Sequence, residues 1–410
     1  MPFGAWQNAG VQRVVITGVG ILTAGGLTEG TWQALMEGRS PATSMTVDGV
    51  GDVVVMRAAD PDADGRFGRR DARRMDRAGQ LAAAAAGDAL EDAGPLGVAN
   101  ERVGAAVGCA HGGAETQDAA FRALLERGGD RVSPLSVPLG LPNTAAAATT
   151  RAHRLRGPSA ASATACAAGT DAIGLALGVV RAGRADAMVA GGAEAPLAPV
   201  VIAGYGRAGA LGGTADAPEA ASRPFDRGRD GFVIAEGAGM LVLEERERAL
   251  ARGATPYAEI IGYGASCDAG HLTDPDASGQ GPALAIAAAL ADAEVDPEQI
   301  AYVNAHATST PSGDLAEARA LVAAGLGHAA VSSTKSMHGH TLGAAGGIEA
   351  ALTCLAMGRG VLPPTVNLAE PEPEPALDHL REPREAAVDF AVSTSFGFGG
   401  HNACLVLARA

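Results

Sequence analysis

The sequence predicts an α/β protein made of two related halves, and three observations point there. Short apolar runs (VVIT at 14–17, then DAMVAGG, MLVLEE, AYVNAH, FAVSTS and ACLVLA) read as strands covered on both faces by helices. Alanine-rich stretches between them read as the covering helices. The order of these elements recurs. GQLAAAAAGDALEDAG followed by RVGAAVG, at 79–107, returns from 281 as GPALAIAAALADAEVDPEQ followed by IAYVNAH. RVVITGVG at 13–20 returns as AEIIGYGA at 258–265, and the run from Cys166 through GLALGVVRAG is matched by the run from His340 through CLAMGRG. The offsets, about 200, 245 and 174 residues, differ too much for a solenoid, whose repeats are short and even. They fit a diverged duplication with insertions, giving halves at 11–257 and 258–408.

Composition narrows the function. The 410 residues are 47% hydrophobic, enough for a large core, and the net charge of -15 disfavours nucleic acid as a partner of the whole surface. The five cysteines lie far apart without a CxxC pair and read as free thiols. Residues 1–10 have neither a charged n-region nor an apolar h-region, so no export signal is expected. No run of eighteen apolar residues occurs, which predicts a cytoplasmic protein with no membrane span.

Cys166 is the first candidate for chemistry. It lies in SATACAAGTDAIGLALGVV, where small residues precede an apolar-periodic helix from about Ala167. A thiol at a helix start meets the positive end of the dipole and free N–H groups, which favour the thiolate and can hold an oxyanion. The commoner fate of a single cysteine is a small buried hydrophobe, and that is the reading for Cys109, Cys267, Cys354 and Cys404. His306 follows a strand in YVNAHATSTPSGD, beside Asn304, Thr308, Ser309 and Thr310 as polar neighbours, at the kind of strand end where α/β sheets bind ligands. His340 opens a second helix start in STKSMHGHTLGAAGGIEAAL, so a twofold relation between the halves makes the two starts converge. Lys335 precedes it, and Glu349 lies about two turns beyond. These two are equally readable as a charge pair at the site or as solvated surface charges. The glycine run from Phe396 to Gly400 lets backbone approach a ligand, with Phe396 and Phe398 placed to gate a pocket. GVG at 18–20 lacks dinucleotide-fingerprint spacing, and the histidines lack a metal-ligand spacing.

These motifs together resemble the β-ketoacyl-acyl-carrier-protein synthases of the elongating (synthase II) type and the ketosynthases of type II polyketide systems. TACAAG, NAHATSTPSGD, STKSMHGHTLGAAG and SFGFGGHN carry the likeness, with ITGVG, GPS, VAGGAEA and SRPFDRGRDGFVIAEGAGMLVLEE in order along the chain. The resemblance implies the thiolase fold, a duplicated αβαβα five-layer sandwich, working as a dimer with no cofactor of its own. Substrates then arrive on the phosphopantetheine of acyl carrier protein. Cys166 becomes the acylated nucleophile, the N–H groups of Cys166 and Phe398 the oxyanion hole, and His306 with His340 the decarboxylation pair. Lys335 and Glu349 fall on the supporting charge network and Phe398 on the gate. Two histidines, where initiating synthases have His and Asn, fit acyl-carrier primers.

Ala307 stands where glycine is frequent, His338 where threonine is usual, and His111 where an aliphatic residue often ends the acyl pocket. The arginine-rich segment at 68–77 supplies Arg69, Arg70, Arg73 and Arg74 as a docking patch for an acidic carrier protein, extended by Arg207. A non-catalytic chain-length factor would lack Cys166. A thiolase would need a second cysteine near the C-terminal glycine loop, and Cys404 lies past it. His111, His338 and Gly25-Gly26 lean the reading toward a polyketide ketosynthase paired with a chain-length factor, with a fatty-acid synthase II homodimer as the alternative.

Overall fold

A computed structural model describes residues 11–410; residues 1–10, where no export signal is expected, lie outside them. The first half supplies strands β1 (Val14–Thr23), β2 (Val103–Gly108), β3 (Ser159–Ser162), β4 (Ala187–Glu194) and β5 (Gly237–Glu245). The second supplies β6 (Ala258–Cys267), β7 (Tyr302–Asn304), β8 (Ala330–Ser332), β9 (Asp378–His379), β10 (Phe390–Gly397) and β11 (His401–Arg409). They pair in the order β9-β8-β7-β10-β11-β6-β1-β5-β4-β2-β3. The order reads symmetrically outward from the antiparallel β1–β6 contact, where Val15 faces Glu259 and Ile16 faces Ala258.

Helices α1 (Arg77–Ala93) and α2 (Thr144–His153) cover the outside of the first half-sheet, and α4 (Gln280–Ala293) and α5 (Pro311–Ala323) the outside of the second. Between the half-sheets run α3 (Ala168–Arg181) and α6 (Ala345–Arg359), packed on each other. The result is the five-layer αβαβα arrangement of the thiolase fold. Among the described residues no helix is long and apolar enough to cross a membrane.

Glycine explains how closely the outer helices sit. A Cβ on Gly18 would fall 2.1 Å from the Ala89 carbonyl of α1, and one on Gly262 would fall 2.3 Å from the Ala289 carbonyl of α4. Both strands also shift register there, between Ile16 and Gly18 and between Ile260 and Gly262. The same device in the same place in each half is what divergence from one ancestor leaves behind.

The third repeat needs a correction. A short 3₁₀ turn precedes α3 at Ala165–Ala167 and α6 at Leu342–Ala344, and Ala165 (φ 49°) and Leu342 (φ 46°) both take the left-handed conformation unusual for side-chain-bearing residues. The geometric offset is therefore 177 residues, not 174, so Cys166 corresponds to Gly343 and His340 precedes the matching turn. Runs of Ala and Gly contain too little side-chain information to set register by eye.

Candidate active site

The two helix starts do converge. His340 Nε2 lies 3.1 Å from Cys166 Sγ, and the His306 and His340 rings meet edge to face with centroids 5.2 Å apart. All three residues line one cavity together with Phe396 and Phe398.

Each side chain is held by an element the folding pattern brings in. Cys166 sits in the 3₁₀ turn before α3, whose Thr170 hydroxyl bonds Ser395 of β10 at 2.8 Å. The close approach of the glycine loop requires Gly397, since a Cβ there would stand 3.0 Å from the Cys166 amide nitrogen. His340 is strapped by the segment before β5: its N–H donates to the Val233 carbonyl at 2.8 Å, and its carbonyl accepts from Ala235 N–H at 3.1 Å. His306 leaves β7 onto a buried carboxylate. Its N–H donates to Glu317 Oε1 (2.9 Å) and to Thr394 Oγ1 (3.1 Å), and Ala307 N–H donates to Glu317 Oε2 (2.6 Å).

Burial decides the electrostatics. Desolvation pushes the Cys166 thiol up to about 12, although the Lys335 ammonium and the Phe398 N–H, which points at the sulfur, favour the thiolate. This corrects the expectation from the helix start: the resting form is the neutral thiol. Burial, reinforced by Lys335, holds His306 and His340 well below the usual imidazole range, so both rings are neutral near pH 7. A neutral thiol next to a neutral imidazole is a proton-transfer pair in its ground state. Alkylation of Cys166 by iodoacetamide, followed on its peptide by mass spectrometry, is therefore expected to rise about tenfold per pH unit from 7 to 9, because only the thiolate reacts. A plateau below pH 8 would show that the site depresses the thiol.

Lys335, the only lysine in the chain, is fully buried and bonds Glu349 Oε1; Glu349 is fully buried too. The two-way reading of these charges is thus resolved in favour of a buried pair. Burial lifts Glu349 to about 7 against the pull of Lys335. Glu349 lies at the start of the second turn of α6, because the helix begins only at Ala345.

The ligand-capable atoms of Cys166, His306 and His340 all lie within 4.8 Å of one another, close enough for a metal ion. Among the described residues, however, Nδ1 of His306 and of His340 has no hydrogen-bond partner, whereas metal-bound imidazoles are ordinarily oriented by one.

The cavity thus brings a cysteine, two neutral histidines and a glycine loop together where the two half-sheets converge. The β-ketoacyl synthase N-terminal domain profile matches residues 11–249, and the C-terminal domain profile matches 257–369. The chain belongs to the β-ketoacyl synthase family. It is 44% identical to 3-oxoacyl-[acyl-carrier-protein] synthase 2 of Synechocystis over 98% of this chain and 99% of that one. Among solved structures, a β-ketoacyl synthase from Burkholderia phymatum shares 37% identity at a TM-score of 0.90, covering 97% of this chain and 100% of the other. The ishigamide ketosynthase/chain length factor shares 34% identity (TM-score 0.89), and a type II polyketide ketosynthase solved with its acyl-carrier protein shares 31% (TM-score 0.87). Each covers 98% of this chain and is itself covered completely. The synthase is an acyltransferase that forms a carbon–carbon bond, and enzymes of its kind use no cofactor of their own.

The remaining sequence candidates separate. Phe396 and Phe398 line the cavity, Phe396 standing 6.0 Å from the His306 ring. Thr308 and Thr310 line it as well. Asn304 and Ser309 do not: Asn304 is fully buried and donates to the Glu349 carbonyl, while Ser309 accepts from Arg223 N–H, so both brace the scaffold. His111 is set behind the cavity wall and reaches it through Tyr205, whose hydroxyl is 3.0 Å from His111 Nε2. His338 is fully buried, 2.9 Å from Thr334 Oγ1, and burial drops it to about 3, so it stays neutral. Cys109, Cys354 and Cys404 are buried as expected, but Cys267 is exposed, because β6 runs out to the surface at its end. Arg69, Arg70, Arg73 and Arg74 are exposed and form no ion pair among the described residues, and exposed Arg207 ends the helix Pro199–Arg207 beside the cavity.

Sequence reading missed Glu317, Thr394, Glu194, Phe232 and Tyr205. Glu317 looks like an ordinary helix charge in SGDLAEARA, and only packing shows that its carboxylate holds the His306 turn.

Proposed function

We propose that the synthase elongates acyl chains by decarboxylative condensation on Cys166, and that the 3.1 Å contact between Cys166 Sγ and His340 Nε2, with His306 alongside, carries this reading. The acyl group arrives as a thioester on the phosphopantetheine of acyl carrier protein. The Cys166 sulfur attacks its carbonyl as the thiol proton passes to His340 Nε2 and on to the departing phosphopantetheine sulfur. The N–H groups of Cys166 and Phe398 hold the oxyanion, which collapses to the acyl-enzyme. Malonyl thioester then enters. His306 and His340 donate N–H to its thioester carbonyl, CO₂ leaves, and its bonding electrons become the enolate that these donors stabilise. The free Nδ1 of each ring lets the Nε2–H tautomer form without breaking a protein hydrogen bond. Enolate carbon attacks the Cys166 thioester, the oxyanion forms again in the same N–H pair, and the cysteine sulfur leaves as a thiolate that takes up one proton from solvent to restore the thiol, with the β-ketoacyl thioester complete. Lys335 and Glu349 hold the site's charge balance, and the halves divide at 11–257 and 258–408.

We place the synthase in the cytoplasm, working as a dimer. The exposed apolar side chains Phe121, Leu124 and Leu125 on the helix Ala114–Arg127, with Val137 just beyond, support a partner surface there. Within the pathway choice we favour a polyketide ketosynthase with a chain-length-factor partner, supported by His111 and His338; a fatty-acid synthase II homodimer is the second reading, supported by the identity to the synthase 2 relatives. Native mass spectrometry of the chain alone, before and after exposure to a medium-chain acyl carrier protein, separates them. A homodimer that gains the acyl group on Cys166 favours the fatty-acid reading. Loading only after co-expression with a chain-length factor favours the polyketide one.

Carrier-protein docking is assigned to Arg69, Arg70, Arg73, Arg74 and Arg207. Arg70→Glu with Arg74→Glu is expected to raise KM for carrier-bound primers about tenfold at low salt while leaving kcat within about twofold, because steering charges act on encounter. An unchanged KM would move docking elsewhere.

A further inference from the structure

We infer that His111 and Tyr205 form a polar recognition point in the acyl cavity, selecting chains that carry a hydroxyl or ketone oxygen over plain hydrocarbon chains. The inference rests on the synthase reading above and names its substrate class.

Tyr205 lines the same cavity as Cys166. Its ring packs edge-on against Phe232 at 5.4 Å and tilts over Phe398 at 6.1 Å, and Phe232 in turn stands edge-on to His340 at 5.0 Å. The hydroxyl is therefore two ring contacts from the catalytic histidine. The cavity wall beside it includes Phe232, Leu342 and Phe398. Tyr205 brings its phenol to that wall, and the His111 imidazole stands behind it, 3.0 Å from the hydroxyl.

The imidazole is held in place from behind. The fully buried Glu194 carboxylate accepts His111 N–H (3.2 Å), Ala110 N–H (2.6 Å) and Gly343 N–H (3.2 Å), tying the turn after β2 to the turn before α6. Burial also raises the Tyr205 phenol above its ordinary range, so it stays a neutral hydroxyl.

A hydroxyl has one donor and two acceptor sites, and the His111 contact uses only one of them. Where His111 Nε2 accepts, the phenol oxygen is free to accept from a substrate hydroxyl. Where Nε2–H donates, the phenol proton is free for a substrate ketone. A hydrocarbon chain laid over the pair strips water from the remaining site and leaves it unmet, whereas a chain with oxygen at that depth satisfies it. Sites of this construction discriminate against the analogue lacking the polar group.

The test uses a matched set of acyl carrier protein thioesters: one saturated chain, and the same chain with a single hydroxyl or ketone at each successive odd carbon. Acylation of Cys166 is followed by mass spectrometry with the chain, and its chain-length factor where one is required. At one position at least, kcat/KM is expected to exceed the saturated value by about tenfold, a modest fraction of what fully buried polar sites achieve. In Tyr205→Phe, which keeps the ring packing, and in His111→Leu, that ratio is expected to fall to about one. No favoured position in the unmodified protein, or a ratio that survives in Tyr205→Phe, overturns the inference. Acylation by the saturated primer without discrimination sinks this inference alone. Failure of every primer to acylate Cys166 sinks the synthase reading beneath it.

Discussion

Cys166→Ala abolishes acyl loading: on exposure to acyl carrier protein thioesters, the variant gains no acyl mass and condensation falls by at least about 10⁴-fold, since a covalent pathway has no nucleophile left. The fold survives, because the side chain removed is small and its neighbours in the apolar wall, Phe232 and Leu342, still pack. Alanine leaves the two histidines in place, so malonyl decarboxylation without condensation is expected to persist. His340→Ala gives the complementary result. Decarboxylation falls by two to three orders of magnitude, about what loss of one oxyanion donor costs. Loading falls less, as the sulfur loses its proton acceptor but keeps the Cys166 and Phe398 N–H groups. Both rates are read in single-turnover assays. Loading that persists in Cys166→Ala would overturn the mechanism, and equal losses in His340→Ala would remove the division of roles.

Lys335→Met is the second large effect. It leaves Glu349 buried without its cation, and breaking a buried pair from one side destabilises a protein by about 3–5 kcal/mol. The pH dependence follows from the raised carboxyl. Glu349 in the folded state titrates near 7, above its ordinary value, so the uncharged form is favoured by folding and stability is lost as pH rises through 7. Without Lys335 that carboxyl rises further, so the deficit of the variant is expected to be larger at pH 8 than at pH 5. Denaturant unfolding at the two pH values measures it. Lys335→Met combined with Glu349→Leu is expected to recover most of the stability, because replacing both partners removes the unpaired charge. It does not recover condensation, since the positive charge that favours the Cys166 thiolate is gone. A single variant as stable as the parent at pH 8 would show that the pair is not a structural unit.

The chemistry was legible in the sequence to the extent that chemistry depends on residue type and neighbours along the chain. A cysteine before an apolar helix, a histidine at a strand end and another after a Gly-containing turn are local patterns, and α/β folding places such positions at the same end of the sheet. The duplication was visible for the same reason, through the recurring order of elements. Its third register, however, was off by three residues, because the stretches around Cys166 and His340 are alanine and glycine.

What tertiary structure alone decided concerns burial and long-range partners. The helix start at Cys166 argues for a thiolate, yet the thiol is neutral, since desolvation in the assembled site outweighs the local N–H groups and Lys335. Lys335 and Glu349 stand 14 positions apart and could each have faced water; packing α6 between two half-sheets put both where no water reaches. Glu317 holds the His306 turn, Glu194 joins the turns after β2 and before α6, and His111 acts through Tyr205, 94 positions away. Local sequence determines which groups a segment can offer. Whether a group is charged, and what it touches, depends on how much solvent the rest of the chain removes from it.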